Sequence, residues 1–257
     1  MSLKSVLVTG ANRGLGLELV RQLAQSERPP QYLLAGCRDP EGQRAQGSDL
    51  NDLRNMAKSF SNIKILKLDV NDIDSIQECA NQIEKILENN GLSLLINNAG
   101  VNFGGGLNET TPETMMNSYR ANVVGPMMVT KALVPALQRA VGLSDELKAN
   151  TKKATVINIS SILASIELFD DKTGKTYAYR ASKAALNMVT KCLANELKPH
   201  GILCASVHPG WVQTDMGGEK APQTKEESVR GILRVLSRLS DEDSGSFLDW
   251  NGQRLPW

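Results

Sequence analysis

Short apolar runs rich in Val, Ile and Leu alternate along this chain with longer segments of helical period, and this alternation restricts the fold more than any other feature. A strand of a parallel sheet is covered on both faces, so it reads as a continuous apolar run, and its crossover returns as a helix. Strands are expected at 6–9, 32–37, 63–68, 92–97, 155–160 and 202–207, with a seventh at 247–250. Helices are expected to begin near Gly14, Ser48, Ile73, Thr114, Tyr179 and Lys225. The pattern predicts a three-layer α/β fold with a doubly wound parallel sheet of about seven strands. No Pro/Ser/Gly linker and no fixed-period repeat divides the chain, so residues 1–257 are expected to form one domain.

Two connections are longer than such units usually need, 141–153 and 163–178, and the second adjoins the chemistry proposed below. Twenty-nine basic against 28 acidic side chains leave a net charge of +1. Neither nucleic acid nor an anionic membrane is drawn by such a balance, and a small-molecule partner is the better expectation. Cys37, Cys79, Cys192 and Cys204 lie far apart without metal-ligand spacing and read as reduced core residues. His200 and His208 have no ligand-spaced companions, so no metal is expected. Without a leader-like N-terminus or a long apolar run, the expected location is cytoplasmic.

The first strand runs into Thr9, Gly10, Ala11, Asn12, Arg13, Gly14, Leu15 and Gly16, followed by an apolar-periodic helix. A glycine-rich turn between strand and helix lets the backbone approach a pyrophosphate, and the helix N-terminus directs free N–H groups at it. Gly10 would serve the turn, Gly14 the approach to phosphate and Gly16 the packing of helix on strand. The spacing is GxxxGxG rather than GxGxxG, and its strand–turn–helix setting points to a Rossmann-type dinucleotide site. NAD-binding folds tend to place an acidic residue at the end of the second strand to hold the ribose hydroxyls. Here that place is Cys37, with Arg38 beside it. Arg38 and Arg13 could clasp a 2′-phosphate by charge-assisted hydrogen bonds, which favours NADP(H). Asp39 as the ribose partner is the alternative.

Tyr179 and Lys183 stand four residues apart, on one helical face. A phenol ionises near pH 10 and is a poor proton donor or base at neutral pH unless an adjacent cation stabilises its anion. The preceding strand delivers Ser160 and Ser161 at the carboxyl end of the sheet, the edge at which open α/β sheets bind ligands. A serine hydroxyl there can hold a substrate oxygen while the tyrosine donates a proton and a nicotinamide delivers hydride.

Taken together, TGANRGLG, the NNAG of Asn97 to Gly100, Asn122, the Ser160–Ser161 pair, YRASK and PGWVQT resemble the ordered motifs of the short-chain dehydrogenase/reductase (SDR) family. The stretches SSILASI, YAYRASKAALN, HPGWVQTDMGG and DWNGQRLPW are similar to its Sniffer-like, C-factor-like carbonyl reductases. The resemblance spans nearly the whole chain. It implies that Tyr179 is the general acid, that Lys183 lowers its pKa and binds the nicotinamide ribose, and that Ser161 orients the carbonyl. Asn122 would hold a water of the proton relay. Asp69 and Val70 would meet the adenine, while Asn98, Ala99 and Gly100 would line the cofactor. Pro209, Gly210, Val212 and Thr214 would embrace the nicotinamide half, and Asn12 and Leu15 belong to the phosphate turn. Ser161 and Tyr179 have 17 residues between them, a longer loop than the family requires, which leaves Ser160 as a rival to Ser161.

The function so implied is NADPH-dependent reduction of an aldehyde, ketone or quinone. Alternatives are an NADP-linked alcohol or steroid dehydrogenase working oxidatively, and a regulator that binds NADP(H) without turnover. The helix from Tyr179 and the one after Thr224 could form a homodimer face. Met115, Met116, Met127 and Met128 are expected in the core. Phe103, Ile162, Leu168, Phe169, Trp211 and Met216 fall in loops at the ligand edge and could wall an apolar pocket. Glu167, Asp170 and Asp171 read as a solvated loop face.

Overall fold

A computed structural model describes residues 3–42, 48–142, 154–170 and 174–257. Its seven strands are β1 (Ser5–Thr9), β2 (Tyr32–Cys37), β3 (Ile63–Lys67), β4 (Leu94–Asn97), β5 (Ala154–Ile159), β6 (Ile202–His208) and β7 (Phe247–Asp249). They form one parallel sheet in the order β3-β2-β1-β4-β5-β6-β7. The chain winds outward from β1 to β3, returns to β4 and winds the other way, so the strand order reverses between β1 and β4. Crevices that receive ligands open at the carboxyl ends of strands beside such a reversal.

Among the described residues seven α-helices cover the sheet: α1 (Gly14–Ala24), α2 (Ser48–Ser59), α3 (Ile73–Leu87), α4 (Pro112–Tyr119), α5 (Gly125–Gly142), α6 (Tyr177–Leu197) and α7 (Lys225–Arg238). Alternate strand residues face opposite layers. Val6 and Val8 of β1 pack with Leu19, Val20, Leu53 and Ile232 of α1, α2 and α7, whereas Leu7 packs with Ile83, Leu133 and Leu193 of α3, α5 and α6. Among the described residues no helix is long and apolar enough to cross a membrane.

The differences from the sequence reading have local causes. The fourth strand starts at Leu94 rather than residue 92, because the Leu92 N–H donates to Ala136 O of α5 and leaves the ladder. The helix expected near Thr114 starts at Pro112, where Thr111 and Thr114 cap it reciprocally. It then continues through a π-helical turn, Arg120–Val124, into α5. Met115 and Met116 are corrected from core to surface, Met116 at 66% exposure, because they lie on the outer side of α4, while Met127 and Met128 pack against the core. Cys192 is likewise exposed on α6, unlike the buried Cys37, Cys79 and Cys204. Residues 143–153 of the first long connection, and Asp171 in the second, lie outside the described residues, whereas Glu167 and Asp170 are exposed.

Candidate active site

The glycine turn stands at the carboxyl end of β1, beside the strand-order reversal. Gly10 has φ +64°, and a Cβ there would stand 3.0 Å from Ala99 Cα, so backbone freedom and lack of bulk are both required. A Cβ on Gly16 would overlap Gly10 O, so α1 starts hard against the turn. Asn12 and Leu15 are half-buried on either side of Arg13. The N-terminus of α1 has no side-chain cap and no acidic residue in its first turn, leaving its N–H groups open to an anion.

Thr9, which sequence reading passed over, joins this turn to the NNAG segment. Its Oγ1 accepts from the Asn98 and Ala99 N–H groups, each at 3.0 Å, and Asn98 Nδ2 donates to Thr9 O at 2.9 Å. At the end of β2 the Cys37 thiol is buried and pushed up to about 11, by burial first and by the Asp39 carboxylate second. It is a neutral group, and Arg38 beside it is exposed. The Arg13 guanidinium donates to Asp215 Oδ2 at 3.2 Å, tying the glycine turn to the loop after β6. Asp69 and Val70 occupy the turn after β3, where Asp69 Oδ1 accepts from the Asn71 N–H at 3.0 Å.

Above β4 and β5, the expected catalytic side chains meet. Tyr179 and Lys183, on one face of α6, are only 8% and 4% exposed. The Ser161 hydroxyl neighbours the phenol and acts to lower its pKa, and Lys183 Nζ lies 5.8 Å from the ring centre while donating to Ile159 O at 2.7 Å. The phenol is not acidified in the chain alone. Burial pushes Tyr179 up to about 12 and outweighs the opposing influence of Ser161, while burial lowers Lys183 to about 8. Desolvation is the largest influence on both groups.

The two serines are separated by their partners. Ser160 Oγ donates to Asn187 Oδ1 at 2.7 Å, whereas Ser161 Oγ faces Tyr179 and accepts from the Leu163 N–H at 3.2 Å. Asn122, fully buried in the π-helical turn, uses its amide on protein groups. Its Oδ1 accepts from the Val101 N–H at 2.8 Å, and its Nδ2 donates to Val101 O and Ser182 Oγ, both at 2.9 Å. A water held by this side chain has only the second lone pair of Oδ1 to bind.

A Cβ on Gly100 would stand 3.0 Å from Asn122 Oδ1 and 3.5 Å from Lys183 Nζ. Glycine keeps open the approach to that amine, which has donors beyond the one engaged by Ile159 O. The loop after β6 completes the cleft. Ser228 Oγ donates to Pro209 O at 2.6 Å, Gly210 packs over Gln223, and Val212 bridges to Gln223. Thr214 lies opposite Gly14, whose Cβ position would be 3.6 Å from Thr214 Cγ2. Uncapped helix N–H groups, a neutral thiol next to an exposed arginine, and a glycine-cleared lysine fit the phosphates and ribose hydroxyls of a dinucleotide.

Phe103, Ile162, Leu168, Phe169, Trp211 and Met216 are all exposed around this cleft. Phe169 lies under the Arg180 guanidinium at 4.9 Å. The loop after Ser161 is held from the far end of the chain, where Trp257 O accepts from the Glu167 N–H at 3.1 Å and Ser165 Oγ at 3.3 Å. His200 is exposed, and His208 is lowered to about 4 by burial against a weaker pull from Asp249. Among the described residues no group of three His, Cys, Asp or Glu could hold a metal ion.

A sequence profile described as short chain dehydrogenase matches residues 4–225. The chain is 38% identical over 167 residues to the C-signal protein of Myxococcus xanthus, covering 65% of this chain and 93% of that one. Among solved structures it is similar to an NADPH-bound carbonyl reductase from chicken fatty liver, at 41% identity and a TM-score of 0.91, with 100% of both chains covered. The carbonyl reductase Sniffer of D. melanogaster is 37% identical with a TM-score of 0.91, covering 99% of this chain and 100% of that one. With a glycine turn, an NNAG segment and a Ser–Tyr–Lys cluster on a seven-stranded parallel sheet, the chain belongs to the short chain dehydrogenase family.

Proposed function

We propose that this protein is an NADPH-dependent carbonyl reductase in which Tyr179 is the proton donor. The observation that carries the reading is the meeting of Ser161, Tyr179 and Lys183 in a buried site at the sheet edge, beside a turn suited to a pyrophosphate. The likeness to an NADPH-bound carbonyl reductase over the whole chain supports it.

Gly10, Asn12, Arg13, Gly14, Leu15 and Gly16 would receive the phosphates, with Asn98, Ala99 and Gly100 along one side and Asp69 and Val70 at the adenine. Arg38 and Arg13 would hold the 2′-phosphate, since neutral Cys37 offers no charge to repel it. Pro209, Gly210, Val212 and Thr214 would close over the nicotinamide half, and Lys183 would donate to its ribose. When bound, NADPH supplies a hydride to the carbonyl carbon and leaves as NADP+.

The Ser161 hydroxyl holds the carbonyl oxygen in place as charge develops on it. Tyr179 gives that oxygen its proton, so that one hydride and one proton convert the carbonyl to an alcohol. Raised to about 12 by burial, the phenol carries its proton through the neutral range but is a weak acid, and the Lys183 ammonium beside it would offset that by stabilising the anion. The tyrosinate left behind is drawn back toward the phenol by the same burial and would recover its proton from solvent by way of Lys183 and a water held on Asn122 Oδ1. Reduced, buried Cys37, Cys79 and Cys204 suit a reducing compartment such as the cytosol, and residues 1–257 would work as one NADP(H)-binding domain.

Absorbance of NADPH followed against quinones, aromatic aldehydes and ketosteroids tests the reading. Carbonyl-dependent oxidation of NADPH, with the alcohol recovered in equal amount, is expected. A protein that binds NADPH tightly and reduces none of the panel would contradict it.

A further inference from the structure

We infer that Asn187 is a positioning residue, whose bond to Ser160 sets the register of α6 on the end of β5 and with it the alignment of Tyr179 against Ser161. The inference rests on the reading of the site given above.

Four consecutive residues at the end of β5 each reach a residue on one side of α6. Asn158 Nδ2 donates to Thr190 Oγ1 at 2.8 Å, Ile159 O accepts from Lys183 Nζ at 2.7 Å, Ser160 Oγ donates to Asn187 Oδ1 at 2.7 Å, and Ser161 neighbours the Tyr179 phenol. Residues 179, 183, 187 and 190 fall three or four apart, so they share a helix face. A helix hydrogen-bonded at three successive levels along a strand end can neither slide nor roll without breaking bonds at several of them. Of the four contacts, those of Lys183 and Tyr179 belong to the reacting site and must change partners during turnover. The Ser160–Asn187 bond lies between them in the strand and touches neither cofactor nor substrate in the proposed scheme.

Burial makes that bond demanding. Ser160 and Asn187 are 1% and 3% exposed, and Asn187 Nδ2 is buried with no hydrogen-bond partner among the described residues. Alanine at both 160 and 187 would leave no buried donor unsatisfied, so the polar pair is not the choice that packing alone favours. What the amide adds is a directional contact one helical turn beyond Lys183.

The test compares Asn187→Ala, Ser160→Ala, their double variant and Tyr179→Phe, using a carbonyl that the wild type reduces. Each single change is expected to lower kcat about 10-fold to 100-fold, the cost of a small misalignment of reacting groups, with NADPH affinity unchanged. The double variant is expected to lose no more than the worse single one, because both remove the same bond. Ser160→Thr, which keeps the hydroxyl, is expected to retain activity. Ser160→Ala removes a single oxygen and carries the test alone if Asn187→Ala does not fold.

An inert Tyr179→Phe beside Asn187→Ala and Ser160→Ala enzymes with wild-type kcat would overturn this inference and leave the reading of the site intact. Full turnover by Tyr179→Phe would remove the reading and the inference together. Losses that multiply in the double variant would show two independent structural effects and overturn the positioning role.

Discussion

The seam between β5 and α6 and the rim around it are built by opposite rules. In the seam, Asn122, Ser160, Ser161, Tyr179, Lys183 and Asn187 are buried, and nearly every polar atom has a named partner. On the rim, Arg13, Arg38, Asp215, Phe169 and Trp211 are exposed, and the one ion pair among them, Arg13–Asp215, is open to solvent. A buried group is held by packing and by the cost of leaving a polar atom unpaired, so its geometry is reproducible from one turnover to the next. An exposed group keeps its freedom and can rearrange around whatever enters. On the function proposed above, the seam would fix the reaction and the rim would choose the cofactor and the carbonyl.

Changes on the rim sharpen this division. The largest is expected from Arg38→Asp, which replaces the proposed phosphate partner with a repelling charge. NADPH affinity should fall about 100-fold while NADH affinity changes little, measured by fluorescence titration of both. Equal losses would remove Arg38 from cofactor choice. A smaller effect is expected at Asp215, whose carboxylate holds the Arg13 guanidinium that the 2′-phosphate would need. Asp215→Asn frees that arginine, and because an exposed ion pair contributes little, NADPH affinity should rise only about threefold. Both variants should leave kcat at saturating NADPH unchanged. A fall in kcat would show that rim and seam are not separable.

The strands could be read because burial on both faces leaves an unbroken apolar run, as at Tyr32–Cys37 and Ile202–His208. The glycine turn could be read because its spacing reports a local backbone requirement, φ +64° at Gly10 among them. What stayed hidden depends on residues far apart in the chain. Thr9 serves the N–H groups of Asn98 and Ala99, Arg13 meets Asp215, and Trp257 holds the loop at Ser165 and Glu167. No local pattern announces such pairs. The choice between Ser160 and Ser161 was open for the same reason, since Asn187, 27 residues beyond Ser160, is what occupies the first hydroxyl. Met115 and Met116 misled because an apolar residue at helical spacing says nothing about what covers it.

The central claim is that the buried phenol of Tyr179 supplies the proton. It is tested most directly by single-turnover oxidation of enzyme-bound NADPH by a reducible carbonyl in Tyr179→Phe, with cofactor binding measured on the same sample. The account predicts that NADPH binds as in the wild type while the rate falls about 1,000-fold, the loss of one positioned proton donor. A Tyr179→Phe protein that oxidises NADPH at the wild-type rate would contradict it.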